Sequence, residues 1–295
     1  MEEVKTIYNI DELTLNFCCP NSLFNKLSTL LLDIQEPREG YQVTLLEKDH
    51  EYNPTVIYLH LTYDNNKTIG VIRCEKEKQK ATFWVDNEIF YTPFASNVEG
   101  KISSICLIEP ILSDLGFDIS TFTIERMKIC RDSQWEVLSE IDALSNNPDY
   151  KPVIANQENE NCYLTDMYYF SSEGSNQCEA QKLRKKKACI ISNLIGTLRL
   201  RVFCLTDLIR DLTHEDYIND FNGFPMDDKR KVYRTEITFN EGQFQRYLSC
   251  DCQVERYDLT LGDFFTQNKL KELYDYFIYD LLRFEEKNST KFICI

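Results

Sequence analysis

The sequence predicts an α+β fold of two similar halves, each a mainly antiparallel sheet with helices packed on one face, followed by a helical C-terminal tail. Three observations predict it. Runs of alternating apolar and polar residues read as strands, other stretches carry apolar residues at helical spacing, and after Gly116 the same order of elements starts again.

In the first half, Ile10-Asp11-Glu12-Leu13-Thr14-Leu15-Asn16-Phe17 alternates as a half-buried strand does. After Pro20, Asn21 and Ser22 are suited to cap a helix from Leu23 to Asp33, with Leu23, Phe24, Leu27, Leu30 and Leu31 on one face. An antiparallel meander is expected next, with strands at Thr55 to Tyr63, Thr68 to Cys74, Ala81 to Val85 and Glu88 to Tyr91. Asp64-Asn65-Asn66 and Asp86-Asn87 supply turn chemistry between them. Ile102 to Leu115 has a helical apolar pattern, in which Pro110 predicts a kink and Gly116 a stop.

The second half opens with a strand from Phe122 to Ile129 and a helix from about Ser133 to Leu144, whose apolar stripe is Trp135, Val137, Leu138 and Ile141. A polar stretch from Asn146 to Asn161 leads to strands at Tyr163 to Phe170, Leu198 to Phe203 and Val232 to Phe239. The tail reads as helices at Phe244 to Leu248, Leu261 to Gln267 and Leu270 to Phe284. The expected divisions are 1–117, 118–240 and 241–295. No residue-level repeat is visible, so the duplication rests on element order.

Composition narrows the function classes. The 295 residues are 43% hydrophobic, enough for a sizeable core, and Asp+Glu 48 against Lys+Arg 33 gives a net charge of -15. That charge repels polyphosphate over most of the surface, so any nucleic-acid contact is local, and an acidic surface suits a protein partner. No stretch approaches the roughly 18 apolar residues of a membrane-spanning helix, so no membrane partner is expected. The start MEEVKTIYNIDE has neither the basic nor the apolar region of a signal peptide, so a cytoplasmic location is expected. There the 12 cysteines behave as small apolar residues. Neither Cys18-Cys19 nor Cys250-Asp251-Cys252 has the gap that lets two thiolates share one zinc, and His50, His60 and His214 are scattered.

Four segments carry a resemblance. Ile10-Asp11-Glu12-Leu13-Thr14-Leu15 is one. Glu125-Arg126-Met127-Lys128-Ile129-Cys130-Arg131-Asp132 and Leu200-Arg201-Val202-Phe203-Cys204-Leu205-Thr206-Asp207-Leu208 follow, and Tyr233-Arg234-Thr235-Glu236-Ile237 is the fourth. In order and approximate spacing they resemble the rolling-circle replication initiators of plasmids and filamentous-type phages. The resemblance implies a protein of a mobile element in which a tyrosine hydroxyl attacks a DNA phosphodiester while a carboxylate-held Mg2+ or Mn2+ stabilises charge on the phosphate. It implies Tyr233, Arg234, Glu236 and Arg126 as catalytic candidates and Asp132 with Glu236 as metal ligands.

This chain departs from the pattern at three places. Lys128 stands where the pattern has an acid and repels a cation; Phe203, in the place of a tyrosine, has no nucleophilic oxygen; and the acid and lysine of the third segment are gone. Tyr168 and Tyr169 are further tyrosines among 17. An alternative reading of Glu236 is an ion pair with Arg234, two residues away on one strand face.

One dense basic run, Lys182-Leu183-Arg184-Lys185-Lys186-Lys187, stands against the acidic background. Lys182, Arg184, Lys185, Lys186 and Lys187 are DNA-binding candidates through sequence-independent, salt-sensitive phosphate contacts, or else a solvated face. Phosphate-cradling glycine motifs and a Gly-x-Ser-x-Gly turn are missing, so no cofactor is encoded by motif. Three readings remain. They are a diverged initiator that binds or nicks DNA, a non-enzymatic adaptor, antagonist or regulator, and a structural protein of a phage or mobile element.

Overall fold

The computed structural model describes residues 6–29, 41–49, 54–63, 67–91, 108–154, 163–165, 188–192, 198–209, 231–249 and 261–295. It is α+β, as the alternation predicts, and divides into two compact units.

One unit comprises Ile10–Met127 and Asn240–Thr266. Its strand β1 (Thr6–Cys18) begins in the other unit, and the helix Asn21–Thr29 follows, burying Leu23, Phe24 and Leu27. Strands β2 (Tyr41–Lys48), β3 (Val56–Tyr63), β4 (Lys67–Glu75) and β5 (Lys80–Val85) then form an antiparallel meander. Its last strand returns beside the first, with Leu13 opposite Val85 and Phe17 opposite Ala81. Period-two burial places Ile57, Leu59 and Leu61 in the core. Strand β2 was not expected, although Tyr41, Val43 and Leu45 alternate.

Two expectations change in this unit. Glu88 to Tyr91 is not a strand: the Asp86 carboxylate accepts the Glu88 N–H (3.0 Å) and caps a 3-10 turn over Asn87–Phe90. Pro110 lies in the first described turn of the helix Ile108–Leu115, where its missing N–H breaks no hydrogen bond, rather than at a mid-helix kink. Gly116 does stop that helix. At φ +95 its N–H donates to Ser113 O and the Phe117 N–H to Leu112 O, a Schellman motif.

The other unit comprises Met1–Asn9, Lys128–Phe239 and Gln267–Ile295. Strand β6 (Thr123–Ser133) leads to the helix Val137–Asn146, then β7 (Tyr150–Ile154), β8 (Tyr163–Thr165), β9 (Ala188–Ser192), β10 (Leu198–Cys204), a short helix Leu205–Ile209 and β11 (Tyr233–Asn240). The order is β8-β9-β10-β11-β6. Each unit therefore runs strand, helix, meander, with the last strand beside the first, which is the similarity of halves that element order predicts.

The expected helix from Ser133 starts later, because β6 continues through Ser133, whose Oγ accepts the Trp135 N–H. Trp135 stands outside the helix, 39% exposed, rather than in its apolar stripe. The tail is not wholly helical either. The helix Gln267–Leu281 ends three residues early and the chain enters β12 (Leu282–Glu286), with β13 (Phe292–Cys294) on one side and β7 on the other. Leu282 and Phe284 are buried at strand spacing, and β7, inside the expected polar stretch, tolerates Pro152 because it lies at a sheet edge.

Candidate functional site

Strand β11 carries three of the candidates, and its alternation sends them to two faces. Thr235, Ile237 and Phe239 lie on the face covered by the helix Gln267–Leu281, where Phe239 stacks on Phe277 at 4.3 Å between ring centroids. Arg234 and Glu236 share the opposite face.

Arg234 is 2% exposed and donates from Nε to Asp132 Oδ1 and from Nη2 to Asp132 Oδ2, each at 2.7 Å. This places Asp132 of β6 and Arg234 of β11 together, on adjacent strands. The pair is fork-to-fork, the geometry in which an arginine holds a carboxylate most strongly. Glu236, 6% exposed, faces Arg201 across the β10–β11 pair at 3.6 Å, and the Arg201 guanidinium lies over the Phe203 ring at 4.2 Å. Glu236 and Arg234 are thus buried rather than a surface pair, and Arg234 binds Asp132 instead. A buried carboxylate held by a guanidinium is a poor ligand for a divalent cation, which needs several free oxygens. The residues present do not fit Mg2+ or Mn2+, and no group of three or more His, Cys, Asp or Glu among the described residues could hold a metal ion.

Tyr233 points the other way along β11 and donates its hydroxyl to Glu136 Oε1 at 3.1 Å. Burial, then the Glu136 carboxylate, push its phenol well above the ordinary tyrosine range, the opposite of an activated nucleophile. Arg126 belongs to the other unit, is 55% exposed, and pairs with Glu12 at 2.8 Å. The basic residues Lys182, Arg184, Lys185, Lys186 and Lys187, with Tyr168 and Tyr169, lie outside the described residues.

The third resembling segment breaks at Cys204, where strand gives way to the helix Leu205–Ile209. Val232 N–H donates to Thr206 Oγ1 (2.8 Å) and Leu205 N–H to Val232 O (2.8 Å), pinning the turn against the start of β11. Burial raises the Cys204 thiol to about 11.

Sequence reasoning missed Arg131. It precedes Asp132 on β6 and so faces the helix side, its guanidinium over the Tyr274 ring at 5.1 Å and near the Trp135 ring at 5.8 Å. The available signal was the alternation itself, since consecutive strand residues cannot share a face.

The chain matches no protein-family model and no curated protein. Among solved structures it has a distant likeness to a rolling circle replication initiator protein from Geobacillus stearothermophilus. The two are 9% identical, the match covers 97% of this chain and 89% of that one, and the TM-score is 0.44.

Proposed function

We propose that this chain is a diverged replication-initiator-like protein of a plasmid, phage or other mobile element. In this reading it binds single-stranded DNA in the cytoplasm without cutting it. The observation that carries the reading is the buried Arg234–Asp132 fork: the acid that the resemblance assigns to a cation is neutralised by an arginine on the neighbouring strand. Glu236 against Arg201, and Tyr233 held protonated by burial and Glu136, support it at the other two positions. The four resembling segments and the basic run from Lys182 to Lys187 support DNA as the ligand.

The test is fluorescence anisotropy with labelled single-stranded DNA across a salt series. Binding that weakens linearly in log affinity against log salt is expected. No binding at low salt would overturn this reading in favour of a second one, an adaptor or antagonist of a basic protein partner, to which the net charge of -15 points.

A further inference from the structure

Arg234 and Arg131 present the same guanidinium edge, Nε with Nη2, on opposite faces of neighbouring strands. On Arg234 that edge is filled by Asp132. On Arg131 Nε and Nη2 are shielded from solvent and have no hydrogen-bond partner among the described residues, while the Tyr8 hydroxyl is hydrogen-bonded to the same guanidinium. The guanidinium carbon lies over two aromatic rings, Tyr274 at 5.1 Å and Trp135 at 5.8 Å, and Tyr8 packs edge-on to Tyr274 at 5.4 Å.

Glu140, one turn into the helix Val137–Asn146, completes the neighbourhood. Its Oε2 is buried and meets no donor among the described residues. Burial raises its carboxyl, while the Arg131 charge lowers it. Two cations, Arg131 and Lys271, stand here against two carboxylates, Glu140 and Asp275, and Lys271 is paired with Asp275. A phosphate would gain little in that field and would oppose Glu140. A neutral planar group with two adjacent acceptors, a donor beside them and a π face fits all four features.

Resting on the DNA-binding reading above, we infer that Arg131, Glu140 and Trp135 form a pocket for an unpaired guanine base. Guanine O6 and N7 accept from the arginine fork, its N1–H donates to Glu140, and its ring stacks on Trp135. Trp135, 39% exposed and outside any helix, is the solvent-exposed member of the three.

The experiment uses the full chain carrying Trp84→Phe, which leaves Trp135 as the one tryptophan of the two in the sequence. Oligothymidylates with one central dT, dG, dC or 7-deaza-dG are titrated by anisotropy and by tryptophan quenching. A preference for dG over dT of roughly ten-fold is expected, with quenching, because a bidentate base contact has that weight. Loss of the preference with 7-deaza-dG, which lacks N7, and in Arg131→Lys, which keeps the charge but not the fork, is expected as well. Glu140→Gln, a second variant independent of the arginine, is expected to reduce the preference too. Equal binding of all oligonucleotides, or a preference for dC, overturns the guanine pocket and leaves the DNA-binding reading standing. No binding of any oligonucleotide overturns both.

Discussion

Arg234 grips Asp132 along one edge of its guanidinium, two hydrogen bonds of 2.7 Å between side chains that are each 2% exposed. Removing one member leaves the other charged and buried, so Arg234→Ala and Asp132→Ala should each lose about 3–5 kcal/mol of stability in urea unfolding. Arg234→Lys should lose most of that as well, because an ammonium cannot fork. The double variant Arg234→Met, Asp132→Leu should recover most of the loss. By contrast Arg126→Ala, which breaks the exposed pair with Glu12, should cost about 0–1 kcal/mol.

That contrast marks how much was legible in the sequence. Alternation and helical stripes place β1, β3, β4, β5, β10 and β11, and Gly116 marks a helix end, because burial and backbone sterics act locally there. The partner of Arg234 was not legible: Glu236 lies two positions away in sequence, whereas Asp132 lies 102 positions away and becomes its neighbour only when β6 lies beside β11. Trp135 looked like one more member of a helical stripe because a side-chain hydrogen bond, Trp135 N–H to Ser133 Oγ, delays the helix, and periodicity does not register it.

Glu140 gives a prediction in pH. Burial is the larger influence and raises its carboxyl above the ordinary range, so the folded chain holds that proton more tightly than the unfolded chain does. Such a group contributes stability below the ordinary carboxylate range, and the contribution is lost as pH rises through the raised value. Wild type should therefore lose stability relative to Glu140→Gln as pH rises above the ordinary carboxylate range, read as a diverging difference in denaturation midpoints.

At the alkaline end, Tyr274 is raised to about 12, chiefly by burial, and its hydroxyl donates to Ile295 O at 3.1 Å. The folded state keeps this phenol protonated above the ordinary tyrosine range, so stability should fall as pH rises from about 10 towards 12. Near-ultraviolet absorbance should show delayed tyrosinate formation, and Tyr274→Phe should flatten the alkaline slope.

Gly70 tests the meander. It lies at φ +154, and a Cβ there would sit 2.2 Å from the Trp84 carbonyl oxygen and 2.7 Å from the Phe83 ring. Gly70→Ala should cost about 1–3 kcal/mol in thermal unfolding as strand β4 is pushed off β5. Gly242→Ala, whose Cβ would meet nothing closer than Asn240 Oδ1 at 3.6 Å, should gain about 0.5 kcal/mol in the helix Glu241–Ser249.

The central claim is that the strand carboxylates serve as ion-pair anchors rather than as a cation site. Incubating supercoiled plasmid and single-stranded DNA with the wild type and Glu236→Ala in Mn2+ tests it most directly. The account predicts no strand cleavage and no covalent protein–DNA species from either protein. Metal-dependent nicking by the wild type that Glu236→Ala abolishes would contradict it.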